Sequence, residues 1–261
     1  MEFGYVLMDP TGNLTALVTD PAPAARQPEL AAALMAAEPS CEQVGFVSPG
    51  AEGADVALRM AGGEFCGNAA MCAAVLCCER TGVPGGTVRV RVSGAEEPVE
   101  VTLERDAAGL WRCLERFPGV PEIGEVALPL SGGLLRATLV RFEAISHLLL
   151  PADFDRAAAE GAAPAWCDAL HAPALGLMLL DAPAGRMTPL VWVSAAKTLC
   201  WERSCASGSA AAGAALAKMQ GRAVALELSQ PGGTLGVSAT PVGEILLRGT
   251  VKTLKVGTFR G

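Results

Sequence analysis

Apolar and polar positions alternate along this chain in an order that occurs twice. Period-two runs place strands at 3–9 and 14–18, a hairpin turned at Asp9-Pro10-Thr11-Gly12. A helical period over 26–37 follows, with Pro28 tolerable in its first turn. Strands at 42–47 and 55–60 lead to a small-residue helix over 66–80, and then to strands at 87–92, 98–104 and 110–116. After 118–124 the order recurs. Residues 134–149 are strand-rich and 151–172 hold one or two helices, with strands at 174–181, 188–194 and 198–202. A second small-residue helix starts at 205, and strands at 223–228, 234–239, 243–248 and 250–258 close the chain.

The two small-residue helices are apolar on nearly every side (Ala69, Ala70, Ala73, Ala74, Val75 in one; Ala210, Ala211, Ala214, Ala215, Leu216 in the other), so each should be central rather than superficial. Each has a glycine sixteen residues after its opening cysteine, Gly82 after Cys66 and Gly221 after Cys205, where a helix would stop. The pattern predicts an α+β fold of two similar domains, 1–122 and 123–254, each with one thiol at a helix start.

That duplication directs the chemistry. Two thiols on one substrate suit removal of a proton from one face of a carbon and its return to the other. An amino acid's α-hydrogen is a very weak acid, and nothing here resembles a pyridoxal lysine site. The remaining route is hydrogen-bond donation to the substrate carboxylate in a dry site. Gly67 and Asn68, with Ala206, Ser207 and Gly208, would be first-turn residues offering free N–H groups at the positive ends of two helices. The same dipoles are expected to lower the thiol pKa values, and two such groups titrate as a coupled pair. The plain alternative for Cys66 and Cys205 is a pair of helix-start core residues. Asn13 and Gln43 are amides suited to orienting a small zwitterion, and Asn13 could equally be a turn residue after Gly12. His147 lies in a strand at the place in the second half that parallels Asn13, either as a substrate contact or as a structural histidine. His171, ahead of Ala172-Pro173, looks incidental.

Composition narrows the partners. A net charge of −7, with four lysines among twenty basic residues and no basic cluster, argues against nucleic acid. Apolar stretches are broken well short of a membrane span. The start at Met1-Glu2-Phe3-Gly4-Tyr5 has no charged n-region, so nine cysteines, an odd number, are expected as reduced thiols in the cytoplasm. Cys72, Cys77 and Cys78 read as packing residues, and their spacing, with no histidine nearby, offers no metal site.

Pro10-Thr11-Gly12-Asn13, Cys41-Glu42-Gln43-Val44-Gly45-Phe46, Gly63-Glu64-Phe65-Cys66-Gly67-Asn68-Ala69, Val92-Ser93-Gly94, Trp201-Glu202-Arg203-Ser204-Cys205-Ala206-Ser207-Gly208 and Gln230-Pro231-Gly232-Gly233 run in order through nearly the whole chain. With these segments the chain resembles the diaminopimelate-epimerase-like racemases. Within that group it looks most like the histidine racemases of staphylopine-type metallophore pathways. The resemblance implies a two-cysteine, cofactor-independent racemase on a small amino-acid substrate. It implies barrel-like sheets around central helices, with a last strand near 255–261 returning to the first domain. A homodimer is compatible with it. Both motifs carry a glutamate in the histidine-type enzymes, so Glu42 and Glu202 become candidates, one for the substrate ammonium or imidazole and one for orienting a thiol; each could also be an ordinary hydrogen-bonded carboxylate. Diaminopimelate epimerases carry an Asn-Ala-Asp-Gly stretch before the first cysteine segment and a longer glutamate-arginine stretch before the second. Here Met60-Ala61-Gly62-Gly63 and a bare Glu202-Arg203-Ser204 replace them, which points away from diaminopimelate. The same fold acting on lysine, another basic amino acid or diaminopimelate after all, and a non-catalytic amino-acid-binding relative, are the other readings. A proline-racemase-like or phenazine-type isomerase fits the flanking motifs less well.

Overall fold

A computed structural model describes residues 1–51 and 53–261. Along the chain the elements are β1 (Glu2–Pro10), β2 (Thr15–Val18), α1 (Gln27–Ala37), β3 (Gln43–Pro49), β4 (Val56–Met60), α2 (Gly67–Thr81), β5 (Gly85–Val92), β6 (Val99–Arg105) and β7 (Trp111–Arg116). Then come β8 (Glu122–Leu130), β9 (Gly133–Arg141), β10 (Ser146–Pro151), α3 (Arg156–Ala169), β11 (Ala174–Asp181), β12 (Arg186–Val193) and β13 (Thr198–Trp201). The chain ends with α4 (Ala206–Gln220), β14 (Val224–Gln230), β15 (Gly233–Ala239) and β16 (Ile245–Arg260). Two compact units result: Met1–Pro118 with Leu247–Gly261, and Gly119–Leu246.

In the first unit the strand order β1-β2-β3-β4-β5-β6-β7-β16 closes on itself, because β16 also pairs with β1. This is an eight-stranded barrel. Its pairing senses from β1 to β6 run antiparallel, parallel, antiparallel, parallel, antiparallel. Parallel neighbours need a crossover, and α1 and α2 are the crossovers of the two parallel pairs. β6 and β7 alternate buried and exposed residues, so one face of each turns inward. There α2 packs against β1, β2, β4, β5, β6 and β7. A helix enclosed by strands has room only for small side chains, which is why Ala69, Ala70, Ala73 and Ala74 are fully buried. On the outer side α1 seals a second layer with Leu30 and Leu34 against Phe3, Tyr5, Phe46 and Phe259.

The second unit orders its strands β8-β9-β10-β11-β12-β14-β15, with β13 beside β12. From β9 to β15 the same five senses recur, with α3 and α4 as crossovers. α4 packs against β9, β10, β11, β14 and β15. α3 covers the other face with Trp166 over Leu148, Leu150, Leu175 and Leu177.

Two elements differ from the sequence reading. β8 was not expected. Only Leu128 of its nine residues is buried, so it pairs with β9 without an apolar period to announce it. The strands expected at 243–248 and 250–258 are one, β16. Gly249 does not break it, and its pairing with β1 shifts register between Leu7 and Met8 instead.

Candidate active site

Both cysteines cap helices, and they do so in the same conformation. Cys66 has φ −139° and ψ 109° before α2; Cys205 has φ −133° and ψ 110° before α4. Gly82 and Gly221 end those fifteen-residue helices at φ 71° and 64°, the left-handed conformation that glycine takes without strain. Gly67-Asn68 and Ala206-Ser207-Gly208 form the two first turns.

Around Cys66 the first unit builds a continuous polar network. The Cys66 thiol donates to Gln43 Oε1 at 3.1 Å and accepts from the Ala69 N–H at 3.4 Å. Gln43 Nε2 donates in turn to Thr15 Oγ1, at 2.7 Å, and to Asn13 Oδ1. Asn13 Nδ2 donates to Glu42 Oε2 at 2.8 Å, and Asn68 Nδ2 reaches Asn13 Oδ1 at 3.2 Å. Asn13 and Asn68 are buried, while Cys66, Glu42 and Gln43 are half-buried. The pleat supplies the geometry. Thr15 and Gln43 are register partners on the parallel pair β2–β3. The Glu42 carboxylate can only accept, which fixes the Asn13 amide and through it Gln43. Five residues named from sequence thus meet in one network, together with Thr15, which sequence reading had not singled out.

Cys205 is held differently. Its backbone N–H donates to Gln230 Oε1 at 2.8 Å, Gln230 Nε2 donates to Ser209 Oγ at 3.0 Å, and Ser209 Oγ returns to the Cys205 carbonyl at 2.8 Å. The thiol lies 3.6 Å from Ser207 Oγ. Gln230 and Ser209 were also missed; the Gln230-Pro231-Gly232-Gly233 turn at the end of β14 was the available signal. The expectation that the helix start lowers the thiol pKa fails here. Burial pushes the Cys205 thiol well up, and the hydrogen-bonded carboxylate of Glu202 adds to it. The contacts with Ser207 and the Gly208 N–H pull the other way with less effect.

His147 is fully buried on β10, and neither ring nitrogen has a hydrogen-bond partner among the described residues. Burial holds its pKa down to about 3, so the ring is neutral. Phe142 meets it edge-on at 6.0 Å. The sequence reading set His147 parallel to Asn13, but the two parallel strand pairs give another correspondence. Ala16 and Val18 face α1 as Leu148 and Leu150 face α3, so His147 stands where Thr15 does. Its register partner Gly176 then stands where Gln43 does. A methyl group at Gly176 would come within 2.2 Å of His147 Nδ1, and one at Gly208 within 2.1 Å of Met178 Sδ and 3.3 Å of Cys205 Sγ. Glycine at both positions therefore lets the imidazole, the Met178 thioether and the helix start pack in direct succession. The described residues contain no helix long and apolar enough to cross a membrane.

The fold has solved counterparts. The hydroxyproline epimerase from Agrobacterium vitis superposes with a TM-score of 0.73 at 13% identity, over 98% of this chain and 90% of that one. A PhzF-family phenazine biosynthesis protein from Bacillus anthracis gives 0.66 at 12% identity over all of both chains. The protein is an isomerase, an amino-acid racemase by class. More particularly, the chain belongs to the family described as histidine racemase CntK N-terminal domain, whose profile matches residues 2–259. The histidine racemase of Staphylococcus aureus strain Mu50 is 26% identical over 263 residues, covering 95% of this chain and 94% of its own.

Proposed function

We propose that the chain interconverts L- and D-histidine without a cofactor, by a two-base exchange in which Cys66 and Cys205 serve one α-carbon as thiolate and thiol. The observation that carries this is the matched pair of helix-capping cysteines, with the Cys66 thiol held by an amide chain that runs back to Glu42. In this reading the two units are two copies of one diaminopimelate-epimerase-like domain, and the recurring order of pairing senses supports it. First-turn N–H groups of α2 and α4 bind the substrate carboxylate. Asn13, Glu42 and Gln43, with His147 of the second unit, line the substrate's surroundings, and Glu42 takes its ammonium or imidazole. Glu202 orients the Cys205 thiol. Nine cysteines, none in a disulfide among the described residues, suit a reducing, cytoplasmic setting.

The test is incubation of the reduced protein with L-histidine in D₂O, without pyridoxal phosphate. Optical rotation and α-deuterium are followed, with L-lysine, L-proline and LL-diaminopimelate in parallel. Racemisation of histidine with deuterium in the product is the expected result, and Cys66→Ser and Cys205→Ser should each lower the rate about 10²–10⁴-fold. Turnover of another substrate alone would retain the mechanism and refute histidine. Racemisation without α-deuterium would refute proton exchange.

A further inference from the structure

The first unit carries a pocket of about 560 Å³ that shares no residue with the polar network around Cys66. It opens on the outer side of the barrel wall. Register places Phe46 beside Arg59, Ser48 beside Ala57 and Ala57 beside Arg91 on β3, β4 and β5, all on the same face. The buried Leu58 and Met60 turn to the opposite face. The first residue of α1, Gln27, and Asp20 after β2 complete the wall.

Two polar atoms in that lining lack hydrogen-bond partners among the described residues, and they are complementary. Gln27 is more than nine-tenths buried, at 7% exposure, and its Nε2 already donates to the Ala22 carbonyl at 3.2 Å. Its Oε1 is therefore left as a buried acceptor without a donor, a group that is costly to leave unmade. Arg91 spends Nη1 on the Glu96 carbonyl at 3.0 Å, but its buried Nε–H reaches no acceptor. Arg59, exposed on the same wall, adds a second guanidinium. The lining thus asks for an anionic acceptor at two guanidinium groups and a donor at an amide oxygen, beside a carboxylate and an apolar floor at Phe46.

We propose that this pocket is a second amino-acid site, which takes the zwitterion of an apolar amino acid. The ligand's carboxylate lies between Arg59 and Arg91, bound by charge-assisted hydrogen bonds. Its ammonium donates to Gln27 Oε1 and faces Asp20, and its side chain rests on Phe46. A volume of this size admits a ligand of that class with water to spare. The site is independent of the histidine reading, because none of its residues belongs to either cysteine cluster.

Calorimetric titration of the full reduced chain with L-leucine tests it. One saturable site per chain is expected, unchanged in a Cys66→Ser/Cys205→Ser variant and at least tenfold weaker in Arg59→Met. Ala57→Asp, which sets a carboxylate between the two arginines, should abolish binding. Thermal melts of both variants establish that they remain folded, and Arg59 is exposed enough for its loss to be tolerated. L-2-hydroxyisocaproate, which lacks the ammonium, should bind at least tenfold more weakly. Absence of saturable binding to the unmodified chain overturns the proposal. So does leucine binding that disappears with the cysteines but survives at Arg59→Met, and equal affinity for the hydroxy acid overturns the zwitterion assignment.

Discussion

The two thiols share a backbone conformation and differ in what surrounds the sulfur. Cys66 is half-buried and bonded to the Gln43 amide; Cys205 is buried, and the Gln43 position of its own unit is Gly176. Burial and Glu202 raise the Cys205 thiol, so on the proposed two-base reading Cys205 is expected to enter as the protonated partner and to alkylate more slowly. Brief iodoacetamide treatment near neutral pH, read by peptide mass spectrometry, should label Cys66 well before Cys205; the reverse order would refute that asymmetry. On the proposed function Gln43 acts through the Cys66 thiol it accepts from, so Gln43→Leu should lower kcat for histidine roughly 10–100-fold, below the full range of an acid–base group. KM should stay within about twofold, and an equal rise in KM would make Gln43 a binding group instead. Asn13, Glu42, Gln43, Cys66 and Asn68 could be named from sequence because each sits in a segment of distinctive residue types. Thr15 and Ser209 could not, since a hydroxyl amid apolar neighbours reads as nothing until register sets it against an amide.

At the scale of elements, two glycine contacts determine how α4 meets β11. Gly208 is in van der Waals reach of Met178, which itself reaches over Gly176 towards the His147 position. Gly208→Ala should therefore overpack the start of α4 and cost about 1–3 kcal/mol of stability. Met178→Ala in the same chain should recover a good part of that loss, a coupling that thermal or denaturant melts of the double-mutant cycle would measure. Strict additivity would mean that the methyl group finds room elsewhere. Elements with an apolar period or a glycine stop were legible in the sequence to within a residue or two, α2, α4 and β11 among them. β8 was not, because an edge strand that buries one side chain leaves almost no period. The single long β16 was not either, because Gly249 looks like a stop in the sequence although the strand runs through it.

Across the whole molecule, each unit contains one fully buried ionisable side chain without a hydrogen-bond partner among the described residues, and the two respond to pH in opposite senses. Glu115 faces inward on β7 of the first unit, and burial raises its pKa from 4.5 to about 8. The folded state therefore retains a proton that the unfolded chain releases. The stability this group contributes is complete below about pH 4.5 and is lost as pH rises towards 8. His147 in the second unit has its pKa lowered from 6.5 to about 3. Its contribution is complete above about pH 6.5 and is lost as pH falls towards 3. Acid should thus weaken the second unit first, and mild alkali the first. Hydrogen exchange, corrected for intrinsic rates, should show protection falling earliest in β10, β11 and α4 near pH 4 but earliest in β6, β7 and α2 near pH 8.5. Glu115→Gln should flatten the alkaline loss and leave the acid loss in place, and His147→Leu should do the converse. Parallel loss of protection in both units at both extremes would show that neither buried group governs the response.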